Sequence, residues 1–491
     1  MIDLLRVGEH GPDSTALVVD GEPIGRQVLA GLADSVAAAM ASDRKAVVWC
    51  AGDRDLSTVL GYLGAVRAGH AVAFLPCGQD PVSALAILDT YRPEFVVPTP
   101  WLAGLLAGHG YAPRETGTGC ELFARGPGAG DPGGEVAEDL LVLLSTSGST
   151  GSAKAAKLSA RAVADSTAAI TESLAIGPGD RAATSLPIRF SYGLSVLNTH
   201  LRAGAPVLLT AENPSSLRHW QELVRARVTT FSAVPTTYRT LGPAHQRLFA
   251  ESALTTMTTS GGRLDPAVQE RWWRLLRERR GRFHPMYGQT ESTARITCMR
   301  PEALPERFGS VGTAVPGGRV WIATDTATDT ATDTDTAGSA EDGEGEICFS
   351  GPGVMSGYAL GRSDLARCGP PQAVLRTGDL GRLDGGFLYV TGRIKRIAKV
   401  FGYRANLDEL EARLDQSGGE LAVTATDERV TVLVTEPADE AWAQAQRRGV
   451  VELLGVPDAC VRLRRIAALP RTPNGKTDYA ALDREQRGEP R

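Results

Sequence analysis

Residues 140–154 read Leu-Leu-Val-Leu-Leu-Ser-Thr-Ser-Gly-Ser-Thr-Gly-Ser-Ala-Lys. The apolar run Leu140 to Leu144 has the length and character of a buried strand. It leads into Ser145, Thr146, Ser147, Gly148, Ser149, Thr150 and Gly151, all small, hydroxylated or glycine, and the stretch closes on Lys154. Glycines let a backbone approach an anion and turn several N–H groups toward it. The hydroxyls add donors, and Lys154 adds positive charge. Such a loop is suited to phosphate, above all that of a nucleotide. It is not a Walker A loop, which needs Gly-x-x-x-x-Gly-Lys-Ser/Thr. Here Gly148 and Gly151 are three apart, and Ala155 follows Lys154. The competing reading is a flexible Gly/Ser linker. Against it, the chain resumes as a short strand over 155–158, and Ser159 offers an N-cap for an Ala-rich helix over 160–174.

A chain of 491 residues has room for more than one core, so more than one domain is expected. Hydrophobic content of 42% and charged content of 22% are ordinary for a globular protein. A net charge of −5 gives no electrostatic case for nucleic acid. The one basic cluster, 271–282, has Trp272, Leu275 and Leu276 at helical spacing and reads as a solvated helix face. Seven scattered cysteines with no Cys-x-x-Cys pair point to reduced thiols and a cytoplasmic setting. The N-terminus lacks an apolar h-region, so no signal peptide is expected. No run of roughly 18 apolar residues predicts a membrane span. The histidines show no metal-ligand spacing.

Helix-like and strand-like stretches alternate through the first part of the chain. Helices are expected over 27–40, 56–68 and 81–91, with strands over 46–50, 71–75 and 95–98. After the glycine loop, strands are expected over 181–186, 206–210 and 229–234, with a helix over 217–226. Strict alternation predicts parallel α/β units. Residues 126–138 read as a surface loop. Ala-Thr-Asp-Thr, repeated three times from Ala323, reads as a solvent-exposed hairpin tip between strands 318–322 and 346–350. Beyond Arg393 the elements become shorter and more charged. Asn406 and Glu409 form a capping-box signal for a helix over 407–414.

Four further segments carry chemistry. Met286-Tyr-Gly-Gln-Thr-Glu-Ser292 follows a strand-like run; Tyr287 can stack on a base, Thr290 can donate to phosphate, and Glu291 can hold Mg²⁺. Arg376-Thr-Gly-Asp379 places a carboxylate on a turn, suited to accepting from ribose hydroxyls. Gly392-Arg393-Ile-Lys395 adds two cations. Pro470-Arg-Thr-Pro-Asn-Gly-Lys476 puts a lysine on a Gly-containing turn. Each alone is a routine turn.

In this order, with 61–76 (GYLGAVRAGHAVAFLP) and 345–358 (GEICFSGPGVMSGY), the chain resembles the adenylate-forming superfamily. That superfamily holds acyl-CoA synthetases, nonribosomal-peptide adenylation domains and luciferases. The resemblance covers nearly the whole chain. It implies an α/β fold: a large N-terminal domain of stacked sheets flanked by helices, over 1–394, and a small mobile α+β domain over 395–491. It further implies an ATP-dependent, AMP-forming ligase using Mg²⁺. A carboxylate attacks the α-phosphate, pyrophosphate leaves, and a CoA or carrier-protein thiol then displaces AMP. The alternatives are transfer to an amine, adenylation of an unusual acid such as nitrite, and a non-catalytic nucleotide-binding relative.

The resemblance also distributes roles. Ser145 to Lys154 would cradle the β- and γ-phosphates. Tyr287 and Gly288 would lie along the adenine, Thr290 would contact the α-phosphate, and Glu291 would hold Mg²⁺. Asp379 would grip the ribose, with Arg393 beside it. Lys476 would bridge carboxylate and α-phosphate, and the small domain would turn about Lys395. Phe190, Ser191, Tyr192, Ser232, Val234, Ser260, Gly261 and Gly262 would line the acyl pocket. Two departures narrow this. The family's loop usually ends Pro-Lys-Gly, where this chain has Ala153-Lys154-Ala155. Amino-acid-activating domains generally carry an aspartate where Ser191 stands, so an aryl, fatty or hydroxy acid is favoured over an ordinary α-amino acid.

Overall fold

The computed structural model describes residues 3–77, 79–146, 154–323, 343–351, 353–400, 403–415, 417–426, 429–454, 458–472 and 476–487. The chain forms two compact units. The first comprises 1–320, 349–375 and 386–388, and the second 321–348, 376–385 and 389–491.

Two large sheets build the first unit. One runs in the order Tyr358–Ala359, Ala155–Ser159, Leu140–Ser145, Ala71–Phe74, Val47–Cys50, Phe95–Val97, Leu122–Arg125, Tyr111–Arg114. Its central strands pair in parallel, as the alternation predicts. Leu140–Ser145 departs from that expectation and pairs antiparallel with Ala155–Ser159. The reason is length: the connection through the glycine loop is shorter than the dozen or so residues a parallel crossover needs. The helix Pro81–Tyr91 covers this sheet with Ala84, Ile87, Leu88 and Tyr91. It starts where expected because the Asp80 carboxylate accepts from the Val82 and Ser83 N–H groups and proline takes the first turn.

The second sheet runs Thr313–Ala314, Thr297–Cys298, Arg282–Tyr287, Thr256–Thr259, Thr230–Ala233, Ala182–Ala183, Val207–Leu209, Thr15–Val19, Glu22–Gly25. Its two faces differ. In-register Phe231, Met257 and Phe283 face a core of Trp220, Tyr238, Phe249 and Trp272. The intervening residues Ser232, Thr258 and His284 share the opposite face. Ala160–Leu174, capped by Ser159, packs on the first sheet and against Ser191–Arg202, which packs on the second. The two sheets are thus stacked with helices between them. The helix Pro266–Arg277 buries Trp272 and Leu276 and leaves its arginine face to solvent, as its spacing predicts.

A four-stranded sheet runs in the order Arg319–Ala323, Gly345–Ser350, Leu375–Asp384, Phe387–Arg393. The Ala-Thr-Asp-Thr repeat between the first two lies, after Ala323, outside the described residues. A three-stranded sheet, Leu421–Thr426, Arg429–Thr435 and Val461–Ile466, packs with the helices Leu407–Arg413 and Glu440–Leu454 around Leu410, Val423, Val432 and Val450. The capping-box residues Asn406 and Glu409 have side chains outside the description. The seven cysteines are buried and none is disulfide-bonded. Among the described residues, no helix is long and apolar enough to cross a membrane.

Candidate active site

The first strand to reach the site is Leu140–Ser145. Of the expected phosphate loop, Ser147, Gly148, Ser149, Thr150 and Gly151 lie outside the described residues, while Ser145, Thr146 and Lys154 are within them. Thr146 N–H donates to the Lys154 carbonyl at 3.4 Å, and Ser145 pairs with Ala155. The two ends of the loop are pinned side by side. Ala155 also pairs with Ala359 and is fully buried. A residue laddered on both sides has no need of glycine's freedom, which accounts for the alanine at the loop exit.

Lys154 Nζ lies 3.5 Å from the centroid of the Tyr358 ring. The Tyr358 hydroxyl in turn donates to Glu291 Oε1 at 2.9 Å. Burial and the Glu291 charge both raise the Tyr358 phenol, so it stays a proton donor. The lysine expected to close the phosphate loop and the candidate Mg²⁺ carboxylate therefore meet on one tyrosine. Tyr358 belongs to the Gly-Tyr end of the 345–358 segment, which the sequence singled out without giving Tyr358 a task. Its signal was present in the motif, but the partner lies far away in the chain.

The strand Arg282–Tyr287 delivers Tyr287, nearly buried, to this site. The chain then doubles back. Gly288 is required here, because a Cβ would run into the Ala294 carbonyl. Thr290, Glu291 and Ser292 form a 3-10 turn, after which Ala294 N–H donates to Gln289 and Ile296 N–H to Tyr287. Thr293 and Ala294 hold positive φ of 50° and 91°. This costly backbone is braced from outside. Thr293 Oγ1 donates to the Gly353 carbonyl at 2.5 Å, Ser166 Oγ to the Thr293 carbonyl at 2.6 Å, and Met355 N–H to the Glu291 carbonyl at 2.9 Å.

Of the expected acyl-pocket residues, Tyr192 and Ser232 meet through Thr258 on the polar face of the second sheet. Tyr192 OH lies 2.7 Å from Thr258 Oγ1, which donates to Ser232 Oγ at 2.9 Å. A Cβ on Gly261 would touch Val234 at 3.5 Å. Phe190, Ser191 and Val234 are half-buried and Gly262 is exposed, whereas Tyr192, Ser232 and Ser260 are buried. Ser191 and Thr293 help line a cavity of about 20 Å³. Sequence reading missed Arg295 on this face. Its guanidinium stacks on the Tyr192 ring, 4.0 Å from the centroid. The available signal was a single cation in an otherwise uncharged run from Ser292 to Cys298.

In the second unit, Asp379 lies within the strand Leu375–Asp384. The sequence placed it on a turn; the positive φ of 70° at Gly378 instead bends the strand just before it. Gly378 N–H donates to Glu346 at 3.0 Å, and Arg376 pairs with the same carboxylate at 2.5 Å. Arg393 Nε lies 3.1 Å from Asp379 Oδ1, so the two residues to which the resemblance gives the ribose pair with each other. Lys476 ends a turn in which Thr472 N–H donates to its carbonyl at 2.8 Å, with Pro473, Asn474 and Gly475 outside the description. The Lys395 side chain is also outside it. Its neighbour Arg396 is buried, pairing with Asp408 at 2.8 Å and Glu411 at 2.6 Å and lying 3.5 Å above the Tyr479 ring.

A lone carboxylate such as Glu291 fits Mg²⁺, which keeps several waters and takes substrate phosphates beside one or two protein oxygens. Among the described residues no group of three or more His, Cys, Asp or Glu could hold a metal unaided.

This is the fold of adenylate-forming enzymes. ATP-bound MatB from Rhodopseudomonas palustris superposes with a TM-score of 0.76 at 23% identity, covering 98% of both chains. MenE from Bacillus subtilis, solved with ATP and magnesium ion, gives 0.75 at 19% identity with the same coverage. The family model for AMP-binding enzymes matches residues 5–359, and the chain belongs to that family. It is similar to the L-proline--[L-prolyl-carrier protein] ligase of Streptomyces coelicolor, 30% identical over 368 residues, 70% of this chain and 66% of the relative. It is also similar to malpinin synthetase of Mortierella alpina, 26% identical over 377 residues, 70% of this chain. The chain spans only 5% of that relative and 22% of the nonribosomal peptide synthetase ataP of Aspergillus terreus.

Proposed function

We propose that this chain is an AMP-forming ligase that adenylates a carboxylic acid other than an ordinary α-amino acid and passes it to a CoA or carrier-protein thiol. The observation that carries this reading is the Lys154–Tyr358–Glu291 contact, which joins a phosphate-loop cation to a magnesium-type carboxylate. The membership of the AMP-binding family supports it, as do relatives named as carrier-protein ligases. The first step joins two anions, so catalysis rests on positioning and charge neutralisation. Ser145 to Gly151 and Lys154 cradle the β- and γ-phosphates, Thr290 contacts the α-phosphate, and Tyr287 and Gly288 lie along the adenine. Glu291 is the residue that would hold Mg²⁺, whose chemistry is to screen the phosphate charge. Asp379 and Arg393 hold the ribose. Lys476 neutralises the charge growing between carboxylate and α-phosphate, then leaves as 395–491 turns about Lys395 to admit the thiol.

The test is acid-dependent ATP–pyrophosphate exchange over a panel of acids. Exchange with at least one acid is expected, and Lys476→Ala should lower it by a barrier of about 3 kcal/mol while ATP still binds. A folded chain that exchanges with no acid defeats the reading. Wild-type exchange in Lys476→Ala removes the role given to that lysine.

A further inference from the structure

Arg295 is 3% exposed, and its guanidinium cannot shed its charge under any ordinary condition. Such a group is normally buried against a carboxylate. Among the described residues none lies within ion-pair distance. Its partners are the Ala294 carbonyl at 2.9 Å, the Met286 sulfur at 3.2 Å and the Tyr192 ring. The neighbours do not supply the missing charge. Burial raises the Tyr192 phenol and pushes the Cys298 thiol up to about 12, so both are neutral at physiological pH. Burial also lowers Arg295 itself, the sign of an uncompensated charge.

Two other buried arginines in the chain find a counter-charge. Arg362 takes Glu94 at 2.6 Å, and Arg396 takes Asp408 and Glu411. Arg26 is also lowered by burial and has no partner on Nε and Nη2 among the described residues, but its Nη1 donates to two carbonyls, of Leu5 and of Leu201 in the last turn of Ser191–Arg202. Arg295 has a single carbonyl, from its own neighbour. Its placement is also enforced. The positive-φ pair Thr293–Ala294 just before it, braced by Ser166 and Gly353, fixes where residue 295 leaves the turn. Strain of this kind persists where the surroundings hold it and gathers at ligand-binding sites.

The guanidinium stands beside Tyr192, whose hydroxyl leads through Thr258 to Ser232, and Tyr192 follows Ser191 at the half-buried rim. We infer that Arg295 is a specificity residue of the acyl pocket and that the acid it selects carries a second anionic group, as in a dicarboxylic acid. The planar fork would receive that second carboxylate through two parallel hydrogen bonds, leaving the first for adenylation. The inference rests on the ligase reading and specifies its substrate class.

The test is exchange by the wild-type chain with matched acids, each monocarboxylic acid beside the unbranched dicarboxylic acid of equal carbon number. The dicarboxylic member should be favoured in kcat/KM by on the order of 100-fold. Arg295→Gln should abolish that preference, Arg295→Lys should restore part of it, and ATP binding should stay unchanged in both. Equal use of the two members by the wild type overturns the inference, as does a loss in Arg295→Gln that falls equally on both. If Arg295→Gln does not fold, the wild-type ratio still decides. No exchange with any acid defeats the ligase reading and this inference together. Exchange without discrimination inside the pairs defeats this inference alone.

Discussion

Arg396 and Arg295 are both buried guanidiniums stacked on a tyrosine, at 3.5 Å and 4.0 Å from the ring centroid. They differ in what neutralises them. At Arg396, burial works against the charge, but Glu411, Tyr479 and Asp408 more than offset it and raise the group. Tyr479 OH completes the network by donating to Glu411 Oε2 at 2.5 Å. At Arg295, burial wins. The first arrangement is complete within the chain and serves to hold the small sheet-and-helix core together. The second is one charge short, which marks a place where a ligand supplies the rest.

The comparison breaks most readily at Arg396. Arg396→Met strands Glu411 in the core, and unfolding by denaturant should show a loss of about 3–5 kcal/mol. A loss below about 1 kcal/mol would remove the contrast.

Protonation tests the polar face around Arg295 next. His284 donates from Nδ1 to the Met299 carbonyl at 2.9 Å, so Nε2 is the bare nitrogen, and it has no partner among the described residues. Burial lowers this imidazole to about 4. A base held neutral in the fold stabilises it above the unfolded value near 6.5, and that stability drains away as pH falls toward 4. The loss over this window should be about 3 kcal/mol, read from denaturation midpoints at successive pH values. A His284→Gln variant should show a correspondingly flatter acid limb.

Arg295→Met should behave oppositely to Arg396→Met. Removing an uncompensated charge should leave stability unchanged or raise it by about 1–2 kcal/mol, while the acid preference is lost. A melting temperature that falls as steeply as in Arg396→Met would make Arg295 structural. The smallest effect belongs to Tyr358, which is partly exposed. Tyr358→Phe should change stability by less than about 1 kcal/mol and raise the Mg²⁺ concentration for half-maximal exchange roughly threefold to tenfold. An unchanged Mg²⁺ requirement would mean that its bond to Glu291 is not used in catalysis.

Much of this is legible in the sequence. Pro81–Tyr91 and Ala160–Leu174 begin and end where the sequence puts them, because Asp80 and Ser159 are local caps that act within one turn. The hairpin Thr15–Val19 and Glu22–Gly25 was not legible, since its first strand gains its place by pairing with the distant Val207–Leu209. The same distinction runs through the site. Motif residues such as Lys154, Glu291 and Asp379 stand out from local spacing. Tyr358 was quoted but left idle, and Arg295 was passed over.

The sequence by itself determined the order of the motifs, most helices and central strands, the glycine loop and the family to which they belong. These follow from patterns within a few residues, where backbone propensity, caps and periodicity act. Only the tertiary structure decided that Lys154 and Glu291 meet on Tyr358, that Ala155 needs no glycine, and that Arg295 is buried without a carboxylate. The physical reason is that a charge acquires its meaning from desolvation and from neighbours brought up by other strands, and neither is written near it in the chain.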